Sequence, residues 1–304
     1  MTQTPTESGR IIRSQSGFFT VQTENGVLTC QLRGRLKKGP RSGDIAAVGD
    51  CVQVSRLDDE TGMVESIEPR LRALIRLDPR PRGVYKQVIL ANPDQVLFVF
   101  ACARPTPHLR MLDRFLVIAE KNNIPAVILA NKIDLVSREQ ARELFGLYAP
   151  LGYPVIYASA HSGEGVAELG EILQGKLSAL AGPSGVGKSS LLNAVQPGLG
   201  LAVREVSDAV NKGRHMTNVR ELFPLTGGGY VADTPGLKSL ALWDTEAEEL
   251  DGYFPELAPL VAQCQFSDCS HDHEPDCAVL RAVEAGRIHP LRYESYLRLR
   301  AGEE

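Results

Sequence analysis

The sequence predicts a chain of three domains: a small closed β-barrel, a central α/β domain with a parallel sheet, and a mainly helical C-terminal domain built around a metal site. Three observations support this fold class. Short strand-like runs fill residues 10–69, buried strand-like runs alternate with helical periodicity over residues 93–242, and three cysteines cluster near the C-terminus. The predicted boundaries are 1–9 for a disordered tail, 10–69 for the barrel, 70–92 for a linker and entry strand, 93–242 for the α/β domain, and 243–304 for the metal-binding domain.

Length and composition are those of an ordinary globular protein. The chain has 304 residues, enough for two or three domains, and is 43% hydrophobic and 23% charged. No apolar run approaches the roughly 18 residues that a membrane span needs. Residues 1–9 are polar and lack the basic start and apolar stretch of a secretory signal. We therefore expect a cytoplasmic protein without a membrane partner.

The barrel region contains four strand-length runs, at residues 17–21, 27–32, 50–54 and 62–67, with turn residues between them. About five short strands in a small domain favour an OB-fold. An SH3-like barrel fits the same pattern, so both remain open at this point.

Charge is unevenly distributed along the chain. The net charge is −4, yet residues 1–90 carry fourteen Lys and Arg against ten Asp and Glu. The basic residues form two clusters, one of Arg33, Arg35, Lys37, Lys38 and Arg41 and one of Arg70, Arg72, Arg76, Arg80, Arg82 and Lys86. Each cluster alone is consistent with a solvated face. Two clusters in so small a region favour contact with a polyanion.

The central region alternates between two patterns. Apolar runs typical of strands buried on both faces lie at 95–101, 126–130, 155–158 and 177–181, and helical periodicity lies at 109–119, 138–148, 166–173 and 188–194. This alternation predicts a parallel sheet with crossover helices.

A phosphate-binding loop follows the last of these strands. Its Gly-x4-Gly-Lys-Ser pattern lets backbone N–H groups converge on phosphates at the start of a helix. We expect Lys188 to bind the β- and γ-phosphates and the Ser189 hydroxyl to bind Mg²⁺. The predicted nucleotide-binding residues of the loop are Gly182, Pro183, Ser184, Gly185, Val186, Gly187, Lys188, Ser189 and Ser190.

A second phosphate-side motif, Asp233-Thr234-Pro235-Gly236, lies about fifty residues after the loop. By itself it reads as a plain turn. At this distance from a phosphate loop, Asp233 is expected to hold Mg²⁺ and the Gly236 amide to meet the γ-phosphate.

The base-reading motif Asn131-Lys132-Ile133-Asp134 indicates guanine. Asp134 is expected to accept hydrogen bonds from guanine N1–H and the N2 amine, which adenine lacks, so the site favours GTP over ATP. Ser159 and Ala160 are expected to close over the base. This motif precedes the phosphate loop, which inverts the order of ordinary GTPases while the spacing within each half is preserved. The sequence therefore predicts a circularly permuted GTPase domain.

The first switch loop is predicted between residues 202 and 222, centred on Gly213-Arg214-His215-Met216-Thr217. Thr217 is the expected Mg²⁺ ligand, although a surface threonine is the alternative. Ras-type GTPases orient the attacking water with a glutamine after the second switch glycine, whereas this chain has Leu237. His215 is the candidate catalytic residue for that task; the alternative is a residue that only contacts a partner. Slow turnover and stimulation by a partner are expected either way.

The cysteine cluster offers three thiolates and one imidazole for a structural Zn²⁺ site, through Cys264, Cys269, His271 and Cys277. His273 is an alternative to His271, and unligated thiols are the alternative to a metal site. A terminal helix is predicted near residues 292–299.

With these motifs assembled, the chain resembles the ribosome small-subunit-dependent GTPase A family over nearly its whole length. The most specific elements are the inverted motif order, Gly213-Arg214-His215, and the cysteine block with Glu274-Pro275 inside it. Two positions depart from the family pattern. Met216 in the switch stands where the family usually has threonine, and Asp276, before Cys277, stands where it commonly has glycine.

The resemblance implies a GTPase that binds the small ribosomal subunit late in its maturation and hydrolyses GTP to GDP faster when bound. It also implies that the barrel and zinc domains bind rRNA. A monomer is the default expectation. The alternatives are a switch GTPase that acts on a protein partner and an RNA-binding assembly module with a structural nucleotide.

Overall fold

A computed structural model describes residues 5–38, 43–80, 83–201, 220–233 and 245–303. The strands are β1 (Thr6–Gln15), β2 (Phe18–Thr23), β3 (Gly26–Leu32), β4 (Cys51–Arg56), β5 (Thr61–Ile67), β6 (Ala73–Arg80), β7 (Gly83–Ala91), β8 (Gln95–Ala101), β9 (Ala126–Asn131), β10 (Val155–Ala158), β11 (Leu177–Ala181), β12 (Arg220–Pro224) and β13 (Tyr230–Asp233). The helices are α1 (Leu109–Lys121), α2 (Arg138–Phe145), α3 (Val166–Leu173), α4 (Lys188–Val195), α5 (Ala258–Val261), α6 (Ala278–Glu284) and α7 (Pro290–Arg300). In these ranges no helix is long and apolar enough to cross a membrane.

The N-terminal strands close into a five-stranded barrel in the order β1-β2-β3-β5-β4, with β4 pairing back to β1. β3 runs parallel to β5, and the other neighbours are antiparallel. This connectivity confirms the OB-fold and excludes the SH3-like alternative. The predicted tail was too long, because β1 begins at Thr6 and pairs from its first residue with Ser55 of β4.

The linker expected over residues 70–92 is wrong as a description of most of that stretch. β6 and β7 form a long antiparallel hairpin with partners from Ala73↔Ala91 to Arg80↔Gly83. Its Arg, Pro and Gly content suggested a linker, but Leu74, Val88 and Leu90 face inward and are buried. The hairpin is thus a structural element that packs between the barrel and the next domain.

The central sheet has the strand order β10-β9-β8-β11-β13-β12. The first five strands are parallel, and β12 is antiparallel to β13. Every residue of β8, β9 and β11 is buried, as their continuous apolar runs predict. The predicted parallel sheet is therefore confirmed in the described residues.

The barrel joins this sheet edge to edge. β1 pairs antiparallel with β12 through Arg13↔Glu221 and Ser14↔Arg220, so that eleven strands form one continuous sheet. Strand β1 of the barrel is thus hydrogen-bonded directly to β12, the strand that follows residues 202–219.

The C-terminal domain combines a 3₁₀ helix (Ala247–Tyr253) with α5, α6 and α7. Its core contains Phe254 and Tyr296, whose rings meet edge to face at 5.5 Å, and includes Val117 from α1. The predicted terminal helix is present as α7. Because α1 contributes to this core, the domain packs against the central domain and does not stand apart from it.

Candidate nucleotide site and metal centre

The predicted nucleotide residues meet at one edge of the parallel sheet. Asn131 ends β9, Ser159 follows β10, and Gly182 follows β11, so all three lie at carboxyl ends of parallel strands. This edge is where open α/β sheets bind ligands. The inverted order along the chain therefore leads to an ordinary arrangement in space.

The base-reading motif is hydrogen-bonded to the phosphate loop. Asn131 is 1% exposed, and its Nδ2 donates to the Val186 carbonyl at 2.6 Å. Lys132 has a left-handed backbone, and its Nζ donates to the Gly185 carbonyl at 2.7 Å and to the Arg104 carbonyl. Burial lowers the pKa of Lys132, while the nearby Asp134 carboxylate opposes that shift. These bonds hold the two halves of the inverted motif set together.

The Asp134 carboxylate is oriented by a buried serine. The Ser159 hydroxyl donates to Asp134 Oδ1 at 2.5 Å and accepts from the backbone N–H groups of His161 and Ser162 at 3.2 and 3.1 Å. Ser159 is completely buried, whereas Asp134 is exposed. A fixed, accessible carboxylate is what recognition of the guanine N1–H and N2 donors requires. Ala160 follows and packs against the core beneath.

Two loop positions require glycine. Gly182 has φ +148°, and a Cβ there would lie 2.1 Å from the Val99 carbonyl oxygen. Gly187 has φ +93°, and a Cβ there would lie 2.4 Å from Asn131 Nδ2. Any side chain would push the loop away from the strand or from the base-reading motif.

The remaining loop residues are arranged for phosphate binding. The Lys188 Nζ donates to the carbonyls of Gly182 and Pro183 at 2.9 and 2.8 Å, which holds the ammonium group over the loop. Ser189 and Ser190 lie in the first turn of α4 and are half-buried, and Ser184 is exposed at the loop tip. The loop backbone thus surrounds the positive end of α4.

Several predicted residues lie outside the described part of the chain. His215 and Thr217 fall in 202–219, and Gly236 falls in 234–244. Asp233 closes β13 beside β11, but its side chain is likewise outside the description. The catalytic role of His215 and the three Mg²⁺ ligands Ser189, Thr217 and Asp233 therefore stay predictions.

The cysteine cluster assembles as a four-ligand set. One ligand atom each from Cys264, Cys269, His271 and Cys277 lies within 4.8 Å of the others, and the last three residues are buried. His271 Nδ1 is 3.5 Å from Cys264 Sγ and 3.3 Å from Cys277 Sγ. His273, the alternative, has a side chain that is 81% exposed and lies beside Asp272. The structure therefore brings together the four residues predicted first.

The chemistry of this set fits a divalent cation. Burial, together with the neighbouring Cys277 and Cys264 thiols, raises the pKa of the Cys269 thiol to about 12. Three sulfurs in one pocket are hard to ionise together, and a bound cation offsets that repulsion. Cys277 is also fixed by the fold, because it caps α6 and accepts from the Leu280 backbone N–H at 3.5 Å.

Comparison with known proteins finds two family models that match the barrel and the central domain. The model of the RsgA GTPase family matches residues 67–243, and that of the RsgA N-terminal domain matches residues 8–64. The chain belongs to the RsgA GTPase family. It is therefore a GTP hydrolase, and the Mg²⁺ that accompanies GTP in such enzymes belongs to its chemistry.

Named relatives and solved structures match nearly the whole of this chain. The small ribosomal subunit biogenesis GTPase RsgA of Gemmatimonas aurantiaca is 49% identical, over 98% of this chain and 97% of the relative. Its counterpart in Moorella thermoacetica is 44% identical, over 95% and 94%. The crystal structure of YjeQ from Thermotoga maritima has a TM-score of 0.79 at 37% identity, covering 98% of this chain and 99% of that one. YloQ, a circularly permuted GTPase, has a TM-score of 0.75 at 33% identity, covering 98% and 95%.

The structure explains one departure from the RsgA family pattern. Asp276 has φ +54°, a left-handed conformation that suits the glycine expected there and that aspartate tolerates better than most residues. Cys277 still reaches the ligand set. The other departure, Met216, lies outside the described residues.

Two acidic residues of the metal centre were missed by sequence reasoning. Glu274 accepts from Ser270 N at 2.6 Å and from the Ser270 hydroxyl, Asp272 N and His273 N, and so closes the ligand loop. Burial acts to raise the pKa of Glu274, but these hydrogen bonds outweigh it and hold the pKa well below the usual range. Asp251, twenty residues before His271, lies beside His271 Nε2. The Glu-Pro pair was a visible signal for Glu274, whereas Asp251 had none.

Proposed function

We propose that this protein binds the small ribosomal subunit, assists its late maturation, and hydrolyses GTP to GDP and phosphate faster when bound. One observation carries the proposal: the base-reading motif is hydrogen-bonded to the phosphate loop, through the Asn131–Val186 and Lys132–Gly185 bonds. Relatives that share its full length are named small ribosomal subunit biogenesis GTPases, which supports the choice of partner.

The proposed reaction assigns a task to each described residue. Asp134, held by Ser159, reads the guanine edge, and Asn131 fixes the base-reading motif against the loop. Lys188 and the loop amides bind the phosphates, and Ser189 supplies a hydroxyl for Mg²⁺. We propose that Asp233 and Thr217 complete the Mg²⁺ shell and that His215 orients the attacking water, since Leu237 cannot accept a hydrogen bond.

The barrel supplies basic side chains for rRNA. Arg33 and Arg35 are exposed, with side chains 51% and 66% accessible, and they flank Glu65 at 2.9 and 3.5 Å. Arg70 of the second cluster serves the fold instead, because it bonds to the buried Asp50 carboxylate. Arg41 and Arg82 lie outside the described residues. Binding through these charges releases counterions, so we expect it to weaken as salt rises.

We propose that the cysteine cluster holds one structural Zn²⁺ per chain. Three thiolates and one imidazole satisfy the tetrahedral preference of Zn²⁺ and leave no open position for substrate. The ion would supply folding energy by joining the loop that carries Cys264 to α6. We further propose a cytoplasmic monomer in which the C-terminal domain is a second rRNA contact.

The test is GTP hydrolysis by the purified protein alone, with isolated small subunits, and with isolated large subunits as the control. Strong stimulation by small subunits only is expected, and Lys188→Ala should abolish it. Slow turnover without response to either subunit would contradict the proposed partner and favour a switch GTPase with a protein partner. No turnover in any condition would favour an RNA-binding module with a structural nucleotide.

A further inference from the structure

His271 is engaged through both ring nitrogens. Nδ1 faces the sulfurs of Cys264 and Cys277 at 3.5 and 3.3 Å, and Nε2 lies 3.1 Å from Asp251 Oδ2. The imidazole is completely buried and the Asp251 side chain is 14% exposed. When a metal is bound at Nδ1, both nitrogens of this buried imidazole are satisfied with the lone pair on Nδ1 and the proton on Nε2, which donates to the Asp251 carboxylate.

We propose that Asp251 is a positioning residue of the metal centre, which fixes the tautomer and ring orientation of His271 and thereby sets the affinity for the metal. The inference rests on the metal centre proposed above. A carboxylate that accepts from the distal nitrogen makes the imidazole a more basic ligand, and such partners are typically worth about 10- to 100-fold in metal affinity.

Asp251 also links the ligand loop to a segment that contributes no ligand. It belongs to the 3₁₀ helix Ala247–Tyr253, whose Leu250 is buried and whose Ala247 carbonyl accepts from Arg300 at 2.7 Å. The bond to His271 therefore connects this helix to the metal centre, and Arg300 connects it to α7.

Helix α7 holds the ligand loop from the other side. The Tyr293 hydroxyl donates to the His271 carbonyl at 2.7 Å, and the Tyr296 hydroxyl donates to the Ser270 carbonyl at 3.0 Å. These bonds fix the backbone of His271, which has φ +60°. With the backbone fixed by α7 and the ring fixed by Asp251, Nδ1 is aimed at the metal position by two independent elements.

The experiment measures zinc affinity in the full-length protein by competition with a chromogenic chelator. The variants are Asp251→Ala, Asp251→Asn and the control Glu248→Gln, an exposed acid on the same 3₁₀ helix. We expect a 10- to 100-fold loss for Asp251→Ala, following the usual effect of removing such a partner. The loss should be smaller for Asp251→Asn, because the amide oxygen still accepts from Nε2, and Glu248→Gln should match the wild type.

Co²⁺ substitution separates positioning from folding. The absorption of bound Co²⁺ reports three thiolates and one imidazole in a tetrahedral set. If Asp251 only positions His271, Asp251→Ala saturated with Co²⁺ has the same spectrum as the wild type, but it needs a higher Co²⁺ concentration to reach saturation. If Asp251→Ala does not fold, Asp251→Asn decides, and affinity equal to that of the wild type overturns the inference. If the wild-type protein itself binds no Zn²⁺ or Co²⁺, the proposed metal centre fails instead.

Discussion

The two junctions of the central domain are built on different principles. On the barrel side, β1 and β12 share backbone hydrogen bonds, and an ion pair between them, Arg13–Glu221, spans 3.9 Å with side chains about 40% exposed. On the C-terminal side, Arg292 is 1% exposed and bonds to Asp113 of α1 at 2.6 Å and to Glu256 at 2.7 Å. Apart from their apolar contacts, the first junction is thus joined by backbone hydrogen bonds and the second by a buried charge network.

The two outer domains are attached to different sides of the nucleotide site, the barrel to the switch side and the C-terminal domain to the base-reading side. The barrel is bonded to β12, which follows the predicted first switch loop. The C-terminal domain follows the second switch motif in sequence, yet it docks on α1, which leads into the base-reading strand β9. A partner that displaces the barrel therefore acts on the switch side, whereas the C-terminal domain is anchored to the side that reads the base.

Removal of the metal is expected to have the largest effect on the stability of the C-terminal domain. Chelation, or Cys264→Ser, should unfold α6 and α7 locally while the barrel stays protected, because metal binding in such sites is worth about 10 kcal/mol or more of apparent folding energy. Amide hydrogen exchange resolved by segment is the measurement. Cys51→Ser, which replaces a thiol of β4 that does not belong to the cluster, is the matched control and should exchange like the wild type. Equal loss of protection in the barrel would contradict the separation of the two junctions.

Substitution of the buried Arg292 is expected to have the next largest effect, on the free energy of unfolding. Arg292→Met leaves the Asp113 and Glu256 carboxylates buried without their cation and should cost about 3–5 kcal/mol of unfolding free energy. The ring of Phe254, 4.6 Å from the guanidinium, loses its cation as well. Urea unfolding followed by circular dichroism measures the cost.

Arg298→Met provides the matched comparison on the same helix. Arg298 is 40% exposed and pairs with Glu294 at 3.1 Å, so its loss should cost about 0–1 kcal/mol. Equal effects of the two arginine substitutions would show that burial of the network does not matter to the junction.

The smallest effect is expected at the barrel junction. Arg13→Gln removes the exposed pair with Glu221 but leaves every backbone bond between β1 and β12, so the unfolding free energy should change by about 0–0.5 kcal/mol. The same urea titration checks it. A loss of several kcal/mol would mean that side chains, and not the backbone, carry this junction.

Local patterns predicted the central domain well. Strands β8, β10 and β11 and helix α3 have the bounds expected from apolar runs and helical periodicity, because both signals reside within each element. Hairpin β6–β7 was missed, since its Arg, Pro and Gly content outweighed the inward Leu74 and Leu90. The Arg292–Asp113 bond joins residues 179 apart and has no local signature. The same is true of Asp251 and His271, whose relation appears only when the 3₁₀ helix is placed beside the ligand loop.

The most direct test of the account changes the base-reading carboxylate. Asp134→Asn replaces an acceptor with an N–H donor, which suits xanthine, with a carbonyl at C2, and opposes guanine. In the presence of small ribosomal subunits, GTP hydrolysis by Asp134→Asn should fall at least about a hundredfold, because an N–H donor then faces the N1–H and N2 donors of guanine and those hydrogen bonds are lost. Xanthosine triphosphate hydrolysis should rise in its place. Wild-type GTP hydrolysis by this variant would contradict the claim that the base-reading motif and the phosphate loop form one guanine-nucleotide site.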